Sequence, residues 1–184
     1  MTSRMTPLLE HNERFTRTFA PVPLALPTAE VIFVTCLDHR VAPEITLGLK
    51  LGDAPVLRNA GGRVTQDIIE EIAYLAFLGR RIAGGELPAD SQFEVAITHH
   101  TQCGTGFLVD PDFRREASEA TGMDECALEA SAVDDPTITV KQDVELMLSS
   151  PQLPPGMGVS GHVYDVETGL VTTVADTRYA PPSE

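Results

Sequence analysis

Two apolar, β-branched runs in this chain end in residues that can bind a soft metal ion. The run at 31–40 (VIFVTCLDHR) carries Cys36, and the run at 95–104 (VAITHHTQCG) carries His100 and Cys103 in an H-x-x-C spacing. A buried parallel strand presents functional side chains at its carboxyl end. The two runs therefore predict a single site, where two thiolates and an imidazole meet at the ends of neighbouring strands.

The ligand types indicate zinc at this site. Zinc favours thiolate and imidazole ligands in tetrahedral geometry, and a catalytic zinc site keeps its fourth position free for water or substrate. Cys36, His100 and Cys103 supply three ligands, and no other Cys or His stands at zinc-finger spacing. On spacing alone the cysteines could be small buried hydrophobes. Their position at two strand ends is what favours a catalytic metal site.

Asp38 and Arg40 follow the first cysteine at alternate positions. Alternate residues of a strand share a face, so Asp38 should point the same way as Cys36, and Arg40 too if the strand continues. Asp38 could then occupy the open metal position or accept a hydrogen bond from metal-activated water. A bidentate contact with Arg40 would keep Asp38 ionised and away from the metal. The alternative is a surface ion pair contributing under about 1 kcal/mol.

Other reactive or special residues are predicted to have structural roles. His99 should point to the opposite side of its strand from the predicted ligand and pack in the core. Cys126 has no partner at metal-binding spacing and is interpreted as a free thiol. Gly61 and Gly62 favour a tight strand-to-helix turn, with a thin pocket wall as the alternative.

Composition and charge limit the possible partners. The chain has 184 residues, 42% hydrophobic and 22% charged, which is typical of one compact domain over 1–184. Nucleic-acid backbones and anionic membranes would repel its net charge of −14. No segment approaches the roughly 20 apolar residues of a membrane span, and the N-terminus lacks the apolar core of a secretion signal. We therefore expect a cytoplasmic protein, in which three cysteines favour metal or catalytic use over disulfides.

The order of patterned segments predicts an α/β fold. Helical spacing at 7–19, followed by prolines at 21, 23 and 27, predicts an N-terminal helical arm over 1–28. Beyond the arm, the sequence predicts a mostly parallel sheet with an antiparallel edge strand, flanked by helices. The predicted strands end near 36 and cover 55–57, 93–100 and a C-terminal hairpin around Glu-Thr-Gly. The predicted helices cover 43–52, 65–81, 110–120 and 137–149, with a turn at 84–91 and an acidic, weakly patterned passage at 126–135.

Four motifs resemble those of the β-class carbonic anhydrases. They are C-L-D-H-R at 36–40, R-N-A-G-G at 58–62, H-H-T-Q-C-G at 99–104 and G-H-V-Y-D-V-E-T-G at 161–169. The resemblance spans roughly residues 29–174, and the H-H-T-x-C-G form is similar to a bacterial branch that also includes carbonyl sulfide hydrolases. Gln102 departs from an Asp that is frequent in that branch, and His39 replaces a small residue.

The resemblance implies Zn2+ on Cys36, His100 and Cys103, with an Asp38–Arg40 catalytic dyad and Asp38 as an occasional metal ligand. It implies reversible hydration of carbon dioxide to bicarbonate, and an arm that wraps a partner subunit in a homodimer or homotetramer. The expected partner is a small-molecule substrate, not nucleic acid or a membrane. Two alternatives stay open: hydrolysis of carbonyl sulfide or carbon disulfide at the same zinc site, and a non-catalytic zinc-stabilised subunit.

Overall fold

A five-stranded sheet forms the centre of the molecule. A computed structural model of the chain describes residues 3–85 and 92–181. The strands are β1 (Val31–Cys36), β2 (Val56–Asn59), β3 (Glu94–His100), β4 (Gly158–Tyr164) and β5 (Val171–Tyr179). Their order across the sheet is β2-β1-β3-β4-β5, with parallel pairing except that β5 runs antiparallel to β4. The predicted mostly parallel sheet with an antiparallel edge is confirmed.

Helices and short 3-10 segments connect the strands. The helices are α1 (Thr6–Phe15), α2 (Pro43–Thr46), α3 (Gln66–Ile82), α4 (Pro111–Thr121), α5 (Glu125–Ala130) and α6 (Pro136–Leu148). The 3-10 segments directly follow β2 at Ala60–Gly62 and lie beyond β3 at Gly104–Val109. Within residues 3–85 and 92–181, none of these helices has both the length and the apolar character that a membrane crossing requires.

The main core lies between one face of the sheet and the helices α3 and α6. Its side chains come from alternate positions of the central strands and from the inner faces of both helices. They include Ile32, Val34, Val95, Ile97, Val159, Ile68, Ile69, Ile72, Val140, Val144 and Met147. Every residue of β1 and β3 after the first is buried. Burial on both faces explains why these strands appear in the sequence as continuous apolar runs.

Helix α3 forms as the sequence predicts. The side chain of Thr65 accepts a hydrogen bond from the backbone N–H of Ile68, which caps the helix, and Asp67 lies in the first turn. With 17 residues, α3 is the longest helix of the described part of the chain. Helices α4 and α6 and the β4–β5 hairpin also form where they were predicted. Most of the turn predicted at 84–91 lies outside the described residues.

One local prediction was wrong, and one passage that the sequence left without an assigned element contains a helix. The helix predicted over 43–52 ends at Thr46, because Gly48 and Gly52 adopt left-handed backbone conformations with φ of 71° and 93°. The acidic passage beginning at 126 contains helix α5, whose N-terminus is capped by the Asp124 side chain accepting from the N–H of Ala127. This helix has six residues with one of them buried, so it produces almost no hydrophobic periodicity.

The apolar side chains of helix α1, at the start of the N-terminal arm, are exposed in the described part of the chain. The predicted helix is present as α1, and none of its residues is buried. Leu8 and Leu9 remain 60% and 56% exposed. Phe15 and Phe19 contact each other, with ring centroids 5.4 Å apart. A ten-residue helix is marginal on its own in water, so this apolar surface is available to a partner.

Candidate metal centre

Three potential ligands converge at the carboxyl edge of the sheet. Cys36 ends β1, His100 ends β3, and Cys103 immediately precedes the second 3-10 segment. Because β1 and β3 are parallel neighbours, both strands end at the same edge. The ligand atoms of Cys36, His100 and Cys103 lie within 4.8 Å of one another. The structure thus brings together the three residues that the sequence predicts as metal ligands.

The distance between the two sulfur atoms fits a tetrahedral zinc ion. Cys36 Sγ and Cys103 Sγ are 3.9 Å apart. Two sulfur ligands about 2.3 Å from zinc, at the tetrahedral angle, lie about 3.8 Å apart. Thiolate and imidazole donors also favour zinc over magnesium or calcium, which prefer oxygen ligands. The donor set and its spacing therefore fit zinc.

The imidazole of His100 presents an unused nitrogen to the two sulfurs. Its Nδ1 lies 2.9 Å from the carbonyl oxygen of Thr101 and donates to it. That contact leaves the lone pair on Nε2, which is buried without a hydrogen-bond partner in the described part of the chain. A buried nitrogen in this state needs an explanation, and metal coordination supplies one.

The two thiols have opposite proton affinities. The hydrogen bond between the sulfurs raises the pKa of Cys36, and burial raises it further. The same bond lowers the pKa of Cys103, whose Sγ also lies 3.1 Å from Thr105 Oγ1. Burial acts to lower the pKa of His100, but the nearby Cys103 sulfur and its charge contribute to a net rise. The site therefore contains a thiolate that attracts a cation.

Asp38 lies beside the ligands and is held by Arg40. Its Oδ1 accepts hydrogen bonds from Arg40 Nε at 3.0 Å and from the Arg40 backbone N at 2.8 Å. Its Oδ2 accepts from Arg40 Nη2 at 2.6 Å and lies 3.9 Å from His100 Nε2. The hydrogen bonds from Arg40 lower the pKa of Asp38 well below its usual range.

The route by which Asp38 and Arg40 meet differs from the predicted one. The strand ends at Cys36, and the backbone turns so that the N–H of Val41 donates to the carbonyl of Asp38 at 3.0 Å. The strand does not continue to Arg40, so the condition for Arg40 to share a face with Cys36 is not met, whereas the predicted pairing of the Asp38 and Arg40 side chains is present. The turn brings the Arg40 guanidinium to both carboxylate oxygens of Asp38, in a bidentate contact.

Gln102 and Glu167 extend this arrangement and were not predicted from the sequence. Arg40 Nη2 donates to the backbone carbonyl of Gln102 at 2.9 Å. The side-chain amide of Gln102 donates in turn to Glu167 Oε1 at 2.7 Å. The sequence signals were that Gln102 adjoins a ligand and departs from a frequent Asp, and that Glu167 lies in the motif at 161–169. Its contact with a residue 65 positions away depends on the fold.

Arg58 was also missed as a support for the segment after β1. Its Nη1 donates to the carbonyls of Cys36 at 3.0 Å and Val41 at 2.6 Å. It thereby fixes both ends of the segment that contains Asp38 and Arg40. Its place in R-N-A-G-G was the signal that could have identified it.

Gly61 and Gly62 form the tight turn that the sequence favours. Their φ angles of 80° and 68° lie in the left-handed region. A Cβ on Gly62 would lie 2.7 Å from the backbone N of Cys36, and a Cβ on Gly61 would lie 2.7 Å from the carbonyl oxygen of Ser131. The glycines therefore permit close backbone packing behind the first ligand.

His99 occupies the opposite face of β3, as predicted, and is fully buried. Its Nδ1 lies 2.8 Å from Thr139 Oγ1, and its Nε2 lies 3.2 Å from Asp143 Oδ2, although not aligned for a good hydrogen bond. Arg63 binds the same carboxylate bidentately at 2.8 and 3.0 Å. Burial acts to raise the pKa of Asp143, but the contacts with His99 and Arg63 lower it overall. Cys126 is exposed on α5, consistent with a free thiol.

The chain is similar to known proteins along most of its length. It is 30% identical over 154 residues to "Beta-carbonic anhydrase 1" of Mycobacterium tuberculosis, covering 84% of this chain and 86% of that protein. The crystal structure of a carbonic anhydrase from Streptococcus mutans matches with a TM-score of 0.77 and 31% identity, covering 95% of this chain and 99% of the other. A carbon disulfide hydrolase of Acidithiobacillus thiooxidans is 29% identical over 168 residues, covering 79% and 78%. No family model matches.

The fold and the site define an α/β protein with a Cys-His-Cys group at the carboxyl edge of a mostly parallel sheet. The chain belongs to the β-carbonic anhydrase family. The resemblance drawn from its four motifs is confirmed, and its relatives include both carbonic anhydrases and carbon disulfide hydrolases.

Proposed function

We propose that this protein is a zinc-dependent carbonic anhydrase, which catalyses the reversible hydration of carbon dioxide to bicarbonate and a proton. The observation that carries the proposal is the convergence of Cys36, His100 and Cys103 beside the Asp38–Arg40 pair. The relatives that carry the name carbonic anhydrase support the choice of substrate.

Cys36, His100 and Cys103 would hold the zinc ion. Bound zinc acts as a Lewis acid that lowers the pKa of a coordinated water, so that water becomes a nucleophile near neutral pH. The two sulfurs offset the charge of the cation. The carbonyl of Thr101 fixes the His100 ring with Nε2 facing the sulfurs, so little reorganisation is required on binding.

Asp38 would orient the attacking water. Its carboxylate is kept ionised by Arg40 and can accept a hydrogen bond from the water, which directs an oxygen lone pair at the substrate carbon. Asp38 is also the proposed alternative ligand, because Oδ2 lies only 3.9 Å from His100 Nε2. In that role the carboxylate would displace the water and stop turnover, so Arg40 supports activity by retaining Asp38.

The test combines zinc analysis with stopped-flow measurement of carbon dioxide hydration. The wild-type chain should hold one zinc and hydrate carbon dioxide in alkaline buffer. Asp38→Asn should retain zinc but lose about 100-fold or more in kcat/KM, because the neutral amide is a weaker acceptor for the water and cannot pair with Arg40 through two oxygens. Asp112→Asn is the matched control, since Asp112 pairs with Arg115 at 2.6 Å on the exposed surface of α4. Zinc-loaded protein without hydration activity would contradict the proposal and support a non-catalytic zinc-stabilised subunit.

Hydrolysis of carbonyl sulfide or carbon disulfide is the second candidate. It is supported by the 29% identity to the carbon disulfide hydrolase of Acidithiobacillus thiooxidans. The same three ligands and Asp38 would serve, because water attacks a similar electrophilic carbon. Hydrogen sulfide release should be measured beside hydration on one preparation. A sulfide rate far above the hydration rate would replace the first proposal with the second.

We also propose a homodimer or homotetramer, built in part through the arm. The exposed apolar side chains of α1 and the adjoining Phe15–Phe19 contact support it. Sedimentation velocity at micromolar concentration should give a mass above that of one chain. Replacing Leu8 and Leu9 by Ser should shift the mass toward the monomer, whereas Met123→Ser on an unrelated exposed segment should not. A monomeric wild-type chain would contradict this proposal.

A further inference from the structure

We propose that Gln102 and Glu167 are positioning residues, whose side-chain contact keeps the Asp38–Arg40 pair anchored to the loop between His100 and Cys103. The inference rests on the proposed function, in which Asp38 must stay off the metal during turnover. It concerns the contact between the Gln102 amide and the Glu167 carboxylate, here named the latch. Neither residue touches the three ligand atoms, so both would act through Arg40.

The latch joins the ligand-bearing loop to the turn between β4 and β5. Gln102 Nε2 donates to Glu167 Oε1 at 2.7 Å. Two hydrogen bonds of Thr101 reinforce this junction: its N–H donates to the carbonyl of Tyr164 at 3.0 Å, and its Oγ1 accepts from the N–H of Val166 at 3.1 Å. The segment between His100 and Cys103 is therefore supported from the edge of the sheet.

The backbone of Gln102 is in an unusual conformation that the latch helps to maintain. Its φ is 54°, in the left-handed region that side chains other than glycine, asparagine and aspartate rarely adopt. Such a conformation persists only where surrounding contacts hold it. Here it directs the Gln102 carbonyl toward Arg40 Nη2, at 2.9 Å.

The Gln102 carbonyl is the second anchor of the Arg40 guanidinium. In the described part of the chain, the hydrogen bonds of this guanidinium go to Asp38 and to that carbonyl. If the carbonyl turned away, Arg40 and Asp38 would remain joined to each other but no longer to the loop. The carboxylate, 3.9 Å from His100 Nε2, could then approach the ligands.

The chemistry of the latch requires a donor at 102 and an acceptor at 167. Gln102→Glu keeps the length and backbone preference of the side chain but places two carboxylates against each other, which is repulsive. The double variant Gln102→Glu/Glu167→Gln restores one donor and one acceptor and the wild-type net charge. Glu167→Ala removes the acceptor without adding charge, and it serves as a second disrupting variant if Gln102→Glu fails to fold.

The experiment measures hydrogen exchange of the Arg40 Nη2–H groups by NMR, in metal-free and zinc-loaded protein, because Nη2 donates the hydrogen bond to the Gln102 carbonyl. Gln102→Glu and Glu167→Ala should each speed exchange by about tenfold, as expected from losing one hydrogen bond. The double variant should restore slow exchange. The matched control is Gln66→Glu, because Gln66 Nε2 donates to Glu70 Oε1 at 2.8 Å on the exposed surface of α3. It should leave Arg40 exchange unchanged.

Hydration kinetics supply the second readout. The disrupting variants should lower kcat by a factor similar to the change in exchange, with zinc content unchanged and the double variant rescued. Unchanged Arg40 exchange in both disrupting variants, or faster exchange that the double variant does not restore, would overturn the inference. Because exchange is measured without turnover, a wild-type chain lacking hydratase activity would refute the proposed function while leaving the latch testable.

Discussion

The two histidines at the end of β3 are neighbours in sequence but lie in opposite kinds of surroundings. His99 faces the helices, where Thr139 and the Asp143 carboxylate contact its two ring nitrogens. His100 faces the other side of the sheet, where its Nδ1 has a partner and its Nε2 has none among the described residues. Both are almost fully buried. The Nε2 atoms of both rings lack a well-aligned hydrogen bond in the described part of the chain. Burial and an unpaired nitrogen therefore do not distinguish a structural histidine from a candidate ligand. The groups beside the ring do, because His99 Nε2 lies 3.2 Å from a carboxylate oxygen of Asp143 whereas His100 lies with two cysteine sulfurs.

The two surroundings also affect stability differently. On the helical side, Arg63 and Asp143 form a buried ion pair whose partners need each other. On the other side of the sheet, the sulfurs of Cys36 and Cys103 lie close to the His100 ring. Because His100 Nε2 has no hydrogen-bond partner among the described residues, a bound cation would satisfy it. Disruption of the first region should unfold the protein, and disruption of the second should remove metal and activity.

The largest effect is expected from Cys103→Ser, on the ligand side. The variant should lose zinc and more than about 100-fold in hydration activity, since even residues that only support ligands are worth 10- to 100-fold. Its fold should persist, which circular dichroism can check. Cys126→Ser is the control, because that thiol is exposed and does not belong to the group of converging ligands. Equal zinc content in Cys103→Ser and Cys126→Ser would contradict the assignment of Cys103 as a metal ligand.

Asp143→Asn should have the next largest effect, on the helical side. It removes the buried counter-charge of the half-buried Arg63 guanidinium, which should cost about 3 kcal/mol in the free energy of unfolding. Urea denaturation at neutral pH measures this loss. The control is Glu145→Gln on the same helix, since the Glu145–Arg178 pair is exposed and should contribute little. Similar losses in both variants would mean that burial of the pair is unimportant.

Gly62→Ala tests the point where the two regions meet, between Arg63 and the backbone of Cys36. The added Cβ would lie 2.7 Å from Cys36 N, so the loss should exceed about 2 kcal/mol and zinc affinity should fall. Gly122→Ala has a similar φ of 73° with open space around it, and should cost about 1 to 2 kcal/mol without affecting zinc. Thermal unfolding and zinc titration compare the two, and equal effects would contradict the close approach.

The smallest expected effect is on the pH dependence of stability. Contacts with His99 and Arg63 hold the pKa of Asp143 below its ordinary value despite burial. The folded-state pKa is below the unfolded-state value of about 3.9, so this stabilisation is present above that value and is lost as pH falls through the folded-state pKa. Between about pH 6 and about pH 3, wild type should lose more unfolding free energy than Asp143→Asn. If the unfolding free energies of wild type and Asp143→Asn, measured by urea denaturation, change with pH in parallel, Asp143 is not the source of this pH dependence.

Most of the fold was predictable because its central strands are buried on both faces. Continuous apolar runs at β1 and β3 gave their positions, and the carboxyl-end rule for parallel strands gave the meeting of Cys36 with His100 and Cys103. Two short helices were not defined from the sequence, for a physical reason. Helix α2 was overextended across Gly48, and the passage that contains α5 was left open between helix and loop, because elements of four and six residues contain too few turns to produce a helical period.

The hydrogen bonds and ion pairs that hold the residues around the ligands could not be predicted from the sequence. The predicted neighbours Asp38 and Arg40 are close in sequence, so local geometry was enough to pair them. Gln102 with Glu167, and His99 with Asp143, join residues 65 and more than 40 positions apart through exposed or helical side chains without apolar periodicity. Such contacts depend on register and helix placement, which pattern analysis does not determine.

The 3.9 Å separation of Cys36 and Cys103 has a consequence for handling the protein. Thiolate character at one sulfur, with a thiol beside it, is the combination that oxidants convert most readily to a disulfide. Zinc would block that reaction by occupying both sulfurs. Chelator-treated protein kept in air should therefore become unable to take up metal again, and a reductant should restore its uptake.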